Sequence, residues 1–247
     1  MKQTRLMMGM PITVEVLDAS VTESALEAVY SYFDYVDDTF STYKEDSEIS
    51  RINRKQLDLS RASEDMRLIF DLAEDTRQLT NGYFDIARNG QYDPSGIVKG
   101  WAIYNAAQIL RQLGFQDFYV DAGGDIQTAG KNAQGQNWRV GIRNPFDIHQ
   151  IIKVVSVADG GVATSGTSIR GQHIYDPKSS APLETSVVSL TVVGPNIFEA
   201  DRFATAAFAM GEQGIAFIEA LNGFEGYQID KDGLATYTSG FERYTLR

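Results

Sequence analysis

An α+β fold, with mixed and antiparallel sheets against packed helices, is what this 247-residue sequence predicts, and three observations carry the prediction. Apolar residues recur at three- and four-residue steps in several segments of helical length. Late in the chain, alternating segments follow one another directly, so the repeating βαβ unit of a parallel sheet is missing. Apolar periodicity also runs from the first strand to the last with no Pro/Ser-rich linker, low-complexity block or repeat, which points to one domain over 1–247.

The elements follow in order. Residues 11–17, PITVEVL, read as a strand after a glycine turn at Gly9. Ser20 and Glu23 have the spacing of a capping box ahead of a stripe formed by Leu26, Val29, Tyr30, Phe33, Val36 and Phe40. The small, charged and hydroxyl residues of STYKEDSEISRIN, 41–53, suggest a surface turn or a short helix. A second amphipathic helix covers 62–79 on Met66, Ile69 and Ala73 and stops at the turn signal Asn81-Gly82. A glycine-bearing turn from Asp93 to Gly100 leads into a helix with Ile103, Ala106, Ala107, Leu110 and Leu113 on its buried side, closed by Gly114. FYVDAGGDI, 118–126, is a strand running into a glycine turn; further strands are expected at 137–143, 151–157 and 185–193, with a glycine turn from Thr164 to Gly171. A helix from about 198, another over 212–221 and a hairpin turning at Asp232-Gly233 complete the chain.

Composition excludes several function classes. The formal charge is −11, from 33 acidic and 22 basic residues, which argues against nucleic acid as the main partner because phosphate backbones select basic surfaces. The absence of cysteine removes disulfides, thiol nucleophiles and sulfur-ligated metals together. No uninterrupted apolar span is long enough to cross a bilayer, and MKQTRLMMGMPITVEV has no apolar export core or cleavage site, so the expectation is a cytoplasmic protein without an integral membrane segment.

The residues that point to chemistry are oxygen donors and glycine turns. In DRFATAAF, 201–208, Asp201 and Thr205 lie one helical turn apart and project two hard oxygen ligands from an apolar helix, a pairing that suits Mg²⁺ better than zinc or iron. The same spacing arises where Asp faces solvent and Thr bonds its own backbone. Lys99 follows Ser95-Gly96 near a predicted helix start, where it and neighbouring amides suit a phosphate, as they suit an ordinary helix terminus. Asp93 orders that turn. Asp125 in GGD, 123–125, is placed to accept from a ligand or to cap a turn. His173, in RGQHIYDP, is too isolated for a catalytic triad or a histidine metal cluster. Tyr43 offers a flat apolar face suited to a planar heterocycle. Residue chemistry alone stops at an anionic, aromatic ligand with a hard cation.

Taken in order, MGMPITVEV, TFSTYKEDSEISRIN, NGYFDI, YDPSGIVKGWA, VDAGGDI, WRVGIRNP, GGVATSG, HIYDP, SLTVVG and ADRFATAAFAMG resemble the ApbE family, the FAD:protein FMN transferases, over nearly the whole chain. The resemblance implies a T-fold-related α+β architecture and an enzyme that uses FAD and Mg²⁺ to attach FMN to a threonine or serine hydroxyl of an acceptor flavoprotein, releasing AMP. It implies that Tyr43 stacks on the isoalloxazine ring, that Asp93, Gly96 and Lys99 with Gly123, Gly124 and Asp125 enclose FAD, and that Ser165, Gly166, His173 and Asp176 line the pocket. Asp201 and Thr205, with a backbone carbonyl near Val98, correspond to the Mg²⁺ ligands. Lys99 would stabilise charge on the pyrophosphate, and Asp125 or His173 would take the hydroxyl proton. The chain departs from the family where Phe84-Asp85 passes almost directly to Asp93, where Ser95-Gly96 replaces a glycine pair, and where Met8-Gly9-Met10 replaces M-G-T. A Mg²⁺-dependent FAD diphosphatase and a noncatalytic flavin-binding or delivery protein are the alternatives.

Overall fold

Amphipathic segments this short cannot bury an apolar face alone, and in the computed structural model, which describes residues 1–167, 178 and 184–245, they do so on the two faces of one antiparallel sheet. Among the described residues its eight strands run in the order β1 (Lys2–Met7), β2 (Met10–Val16), β5 (Phe118–Ala122), β6 (Asp125–Ala129), β9 (Gly160–Gly166), β10 (Val187–Gly194), β11 (Glu225–Asp230) and β12 (Ala235–Tyr237). Two small hairpins stand apart from it, β3 (Ala87–Arg88) with β4 (Gln91–Tyr92), and β7 (Trp138–Asn144) with β8 (Asp147–Val157). This is the mixed α+β class with antiparallel pairing.

One face carries the main core. Helices α1 (Glu23–Phe40), α3 (Glu64–Leu79), α4 (Ser95–Gln112) and α5 (Ile197–Ala209) contribute to it together with Ile12, Val14, Phe118, Val120, Leu190 and Val192 from the sheet. The stripe from Leu26 to Phe40 is buried as its spacing demands. The opposite face is covered by the β7–β8 hairpin, whose Val140, Ile142, Val155 and Val157 pack with Val162, Val193 and Phe241. Alternation along β9 and β10 sends neighbouring residues to opposite cores: Ala163 and Val192 to the helices, Val162 and Val193 to the hairpin.

Leu113, expected on the buried side of its helix, lies just past the end of α4 and is 51% exposed, and four further local expectations change. The first helix is capped two residues beyond Ser20, by Thr22, whose hydroxyl accepts from the Ala25 amide. The basic opening is itself a strand, β1, joined to β2 by a tight turn at Met8 and Gly9, both at positive φ. Gly160–Gly166 forms β9, so the expected turn from Thr164 begins inside a central strand. The expected turn from Asp93 to Gly100 is helical from Ser95 onward, and α4 runs unbroken through both glycines. The remaining boundaries agree to within a few residues, with α2 (Glu48–Asn53) inside STYKEDSEISRIN and α6 (Gly214–Glu219) inside 212–221. No helix among the described residues is long and apolar enough to cross a membrane.

Candidate active site

Two glycines let α4 and α5 approach each other closely. A Cβ built on Gly100 would lie 2.6 Å from Asp201 Cβ, 2.9 Å from its Oδ2 and 3.0 Å from the Ile197 carbonyl, and one built on Gly96 would lie 3.4 Å from Thr205 Cγ2. Positions 96 and 100 on one helix thus face 205 and 201 on the other, an antiparallel contact at one-turn spacing. Glycine inside a helix costs roughly 1 kcal/mol relative to alanine, and here it admits a carboxylate between two helix backbones. With that space available, the Gly100 amide donates to Asp201 Oδ2 at 2.8 Å.

The carboxylate of Asp201 meets a lysine and a second acid. Lys99 Nζ lies 3.5 Å from Asp201 Oδ1 and in closer ion-pair contact with Asp125 Oδ2. Asp125 and Asp201 are 2% and 3% exposed, respectively. Asp125 reaches this point because Gly123 and Gly124, both at positive φ, form the two-residue turn from β5 into β6. Asp121 Oδ1 accepts from the Gly124 amide at 2.8 Å and braces the turn from within. Asp125 Oδ1 accepts from the Thr164 amide of β9 at 2.9 Å, next to Ser165 and Gly166, so the glycine turn and the end of β9 open at the same end of the sheet.

Electrostatics follow from this crowding. Desolvation raises the pKa of the Asp201 carboxyl most strongly; Lys99 opposes it and Asp125 adds to it. Burial likewise pushes Asp121 up, against the Gly124 amide, with Asp125 nearby adding to the rise. One ammonium between two buried carboxylates leaves a net negative pocket, and buried Asp125 Oδ2 makes no hydrogen bond beyond its ion pair. Two buried carboxylates beside one ammonium fit a divalent cation of the Mg²⁺ type, and the Thr205 side chain stands one turn beyond Asp201 on α5 as a further oxygen donor. Among the described residues there is no cluster of three acidic or histidine side chains arranged for a metal, so a cation here would draw on Asp201, Thr205 and main-chain oxygen. Val98 is buried in the first turn of α4, where its carbonyl serves the helix ladder and keeps a second lone pair.

The structure therefore joins Lys99, Asp125 and Asp201 directly, and sets Gly96 against Thr205. Asp93 sits just outside α4, its Oδ1 accepting from the Ser95 amide at 3.0 Å, and Pro94 at the helix start provides no side-chain cap. Tyr43 is 96% exposed in the loop between α1 and α2 and touches none of the three charged residues. Its loop is anchored beside α4 by the edge-to-face pair Phe40–Trp101, centroids 5.6 Å apart. Asn53, at the end of α2, exchanges two 2.8 Å hydrogen bonds with the Tyr92 backbone and ties the segment to the YDP turn. His173 and Asp176 lie outside the described residues. Sequence reasoning missed Gly100 and the Thr164 amide as partners of the acids; the signal for Gly100 was a glycine at a position the helical pattern would otherwise fill.

Comparison with known proteins identifies the family and the fold. The model of the ApbE family matches residues 8–90 and 87–227. A FAD:protein FMN transferase of Salmonella typhimurium is 32% identical over 150 residues, covering 57% of this chain and 43% of that protein. One from Vibrio cholerae is 35% identical over 138 residues, covering 52% and 41%. The chain thus matches less than half the length of these curated relatives. Among solved structures, the flavin transferase ApbE from Vibrio cholerae superposes with a TM-score of 0.86 at 25% identity, over 99% of this chain and 98% of that one. The ApbE protein of Thermotoga maritima gives a TM-score of 0.89 at 20% identity, over 100% and 99%, a likeness of fold.

Proposed function

The chain belongs to the ApbE family, and from that premise we propose that it is a FAD:protein FMN transferase, which moves FMN from FAD to a threonine or serine hydroxyl of an acceptor flavoprotein and releases AMP. The observation that carries the reading is the meeting of Lys99, Asp125 and Asp201, from three distant parts of the sequence, at one negative, oxygen-rich point. We take residues 1–247 as one catalytic unit, supported by the continuous eight-stranded sheet, which carries Asp125 on β6 and packs against the helices that carry Lys99 and Asp201.

The chemistry assigns a role to each side chain. The acceptor oxygen forms a bond to the FMN phosphorus, the bridging bond of the pyrophosphate breaks, AMP leaves, and the hydroxyl proton passes to a base. Asp201 and Thr205, with the Val98 carbonyl, would hold Mg²⁺, which when bound neutralises charge on the phosphate oxygens. Lys99 supplies a second positive charge to the developing phosphate oxygens. Asp125 has one oxygen on Lys99 and the other on the Thr164 amide, so its supported role is to hold the ammonium in place, leaving the proton to His173 by resemblance. The Gly96 amide, in the first turn of α4 between the Ser95 amide held by Asp93 and the Ile97 and Val98 amides that donate to the Pro94 carbonyl, suits an anionic oxygen, with Asp93 shaping the approach. Gly123, Gly124, Ser165 and Gly166 line the pyrophosphate side, Asp176 belongs to the same pocket by resemblance, and the exposed ring of Tyr43 is free to stack on the flavin.

Incubation with FAD, Mg²⁺ and a threonine-bearing acceptor peptide tests this. The expected result is one FMN added per peptide with stoichiometric AMP. Equal FMN and AMP with an unmodified acceptor flavoprotein would mean hydrolysis, and unchanged FAD would mean a flavin-binding protein.

A further inference from the structure

Gln127 is a buried polar side chain that the reaction does not use. It stands on the helix face of β6, two residues after Asp125, and is 1% exposed. Its Oε1 accepts from the Ile197 amide at 2.8 Å, while its Nε2 donates to the Gly160 carbonyl at 3.0 Å and to the Thr128 carbonyl at 2.9 Å. The amide is used from both ends, which fixes its orientation: the oxygen faces the only N–H in the group and the nitrogen faces two carbonyls. Asn196, the N-cap of α5, spends its side chain on the Glu199 amide, so the first helical N–H, that of Ile197, depends on Gln127.

Ile197 is also where α5 is held from two sides. On the sheet side, a Cβ at Gly161 would collide with the Ile197 backbone nitrogen; on the other, a Cβ at Gly100 would lie 3.0 Å from the Ile197 carbonyl. Asp201 follows about one turn later on the same helix, hydrogen-bonded to Gly100. The glycines set how closely α5 can approach, and its position along its own axis is held by directional bonds: Arg202 Nη1 donates to Thr76 Oγ1 of α3 at 3.0 Å further along the helix, whereas at its start the bond comes from the sheet. The Gln127 amide supplies a directional bond at that point. We infer that Gln127 is a positioning residue for the metal site: it fixes the axial register of α5 and with it the placement of the Asp201 carboxylate against Gly100 and Lys99. This rests on the reading of Asp201 as a Mg²⁺ ligand.

Gln127→Met keeps the volume and removes all three hydrogen bonds; Gln127→Glu keeps an acceptor for Ile197 and loses both donors. Mn²⁺ binding to the full chain without FAD, followed by electron paramagnetic resonance, should weaken roughly 10- to 100-fold in Gln127→Met, the range for residues that orient metal ligands. With FAD, the Mg²⁺ concentration for half-maximal turnover should rise by a similar factor, with the KM for FAD at saturating Mg²⁺ nearly constant. Val192→Ala, in the same core, serves as the stability control: it should lower Tm and leave Mn²⁺ affinity alone. A crystal structure of Gln127→Met should show the Asp201 to Gly100 hydrogen bond lengthened or lost. Unchanged Mn²⁺ affinity in Gln127→Met, or a loss matched by Val192→Ala, overturns the inference while the metal reading stands. Were the wild type to bind no Mn²⁺, the metal reading would fall, and an intact Asp201 to Gly100 bond in the variant crystal would then overturn the positioning role separately.

Discussion

At the scale of single residues, the site turns on how two buried carboxylates share one ammonium. Asp201→Asn preserves the shape and the acceptor for the Gly100 amide but removes the charge. Mg²⁺-dependent turnover should fall by at least about 10-fold, since loss of a ligand costs no less than loss of a residue that orients one, with the circular dichroism spectrum unchanged; retained turnover would remove Asp201 from the site. Lys99→Met leaves Asp125 and Asp201 facing each other without their cation, and breaking a buried pair from one side costs about 3–5 kcal/mol. Partial exposure of Lys99 places the expected loss near the lower end, about 3 kcal/mol. Added Mg²⁺ should then raise the Tm of the variant more than that of the wild type, because a ligand that binds the folded state stabilises it by mass action; differential scanning fluorimetry with and without Mg²⁺ reads this directly.

At the scale of elements, helix contacts and strand starts decide. Gly100→Ala should improve the intrinsic helicity of α4 by about 1 kcal/mol, yet its Cβ would press on Asp201 and Ile197, and overpacking costs about 1–3 kcal/mol. Urea denaturation is expected to show a net loss of stability, and turnover should fall because the two helices separate at the acid. Glu212 holds the start of β10: it accepts from the Ser186 amide at 2.8 Å and the Ser186 hydroxyl at 2.7 Å. The Ser186 amide, then its hydroxyl, lower the Glu212 pKa to about 2 from 4.5. A depressed carboxylate contributes stability that is complete above the unfolded value and lost as pH falls through the folded one. Its contribution should therefore fade between about pH 4.5 and 2, and Glu212→Gln should flatten that part of a Tm-against-pH curve. A variant curve that keeps the wild-type slope would show the link to be energetically idle.

At the scale of the whole molecule, the sheet separates stability from chemistry. The helix face carries the acids, whereas the β7–β8 hairpin covers the other face through a distinct cluster. Ile142→Ala, in that cluster, should cost about 2–5 kcal/mol by cavity formation and leave the Mg²⁺ concentration for half-maximal turnover unchanged, measured below the Tm of the variant. A shifted Mg²⁺ requirement would show the two faces to be mechanically coupled. The net charge of −11 fits this arrangement, since a negative molecule that handles a pyrophosphate needs local cations at the point of contact.

The amphipathic stripe of α1, the Gly123-Gly124 turn and the one-turn spacing of Asp201 and Thr205 were legible in the sequence, because each is a local pattern governed by helix or hairpin geometry. Where local signals competed, the reading slipped. Ser20 and Thr22 both have cap chemistry, and in the fold it is Thr22 whose hydroxyl accepts from the Ala25 amide. Glycines 96 and 100 resemble a loop until α5 is in place, and Gly160–Gly166 resembles a turn until β6 and β10 flank it. Local sequence set which residue types the site could draw on, hard oxygens, Lys99 and permissive glycines, and the elements that would carry most of them. Tertiary structure alone decided that Gly100 donates to an acid 101 residues away and that Asp125 reaches the same lysine. Such contacts depend on how closely two elements approach, which is set where a glycine on one faces a side chain on the other, and that leaves no periodic trace along the chain.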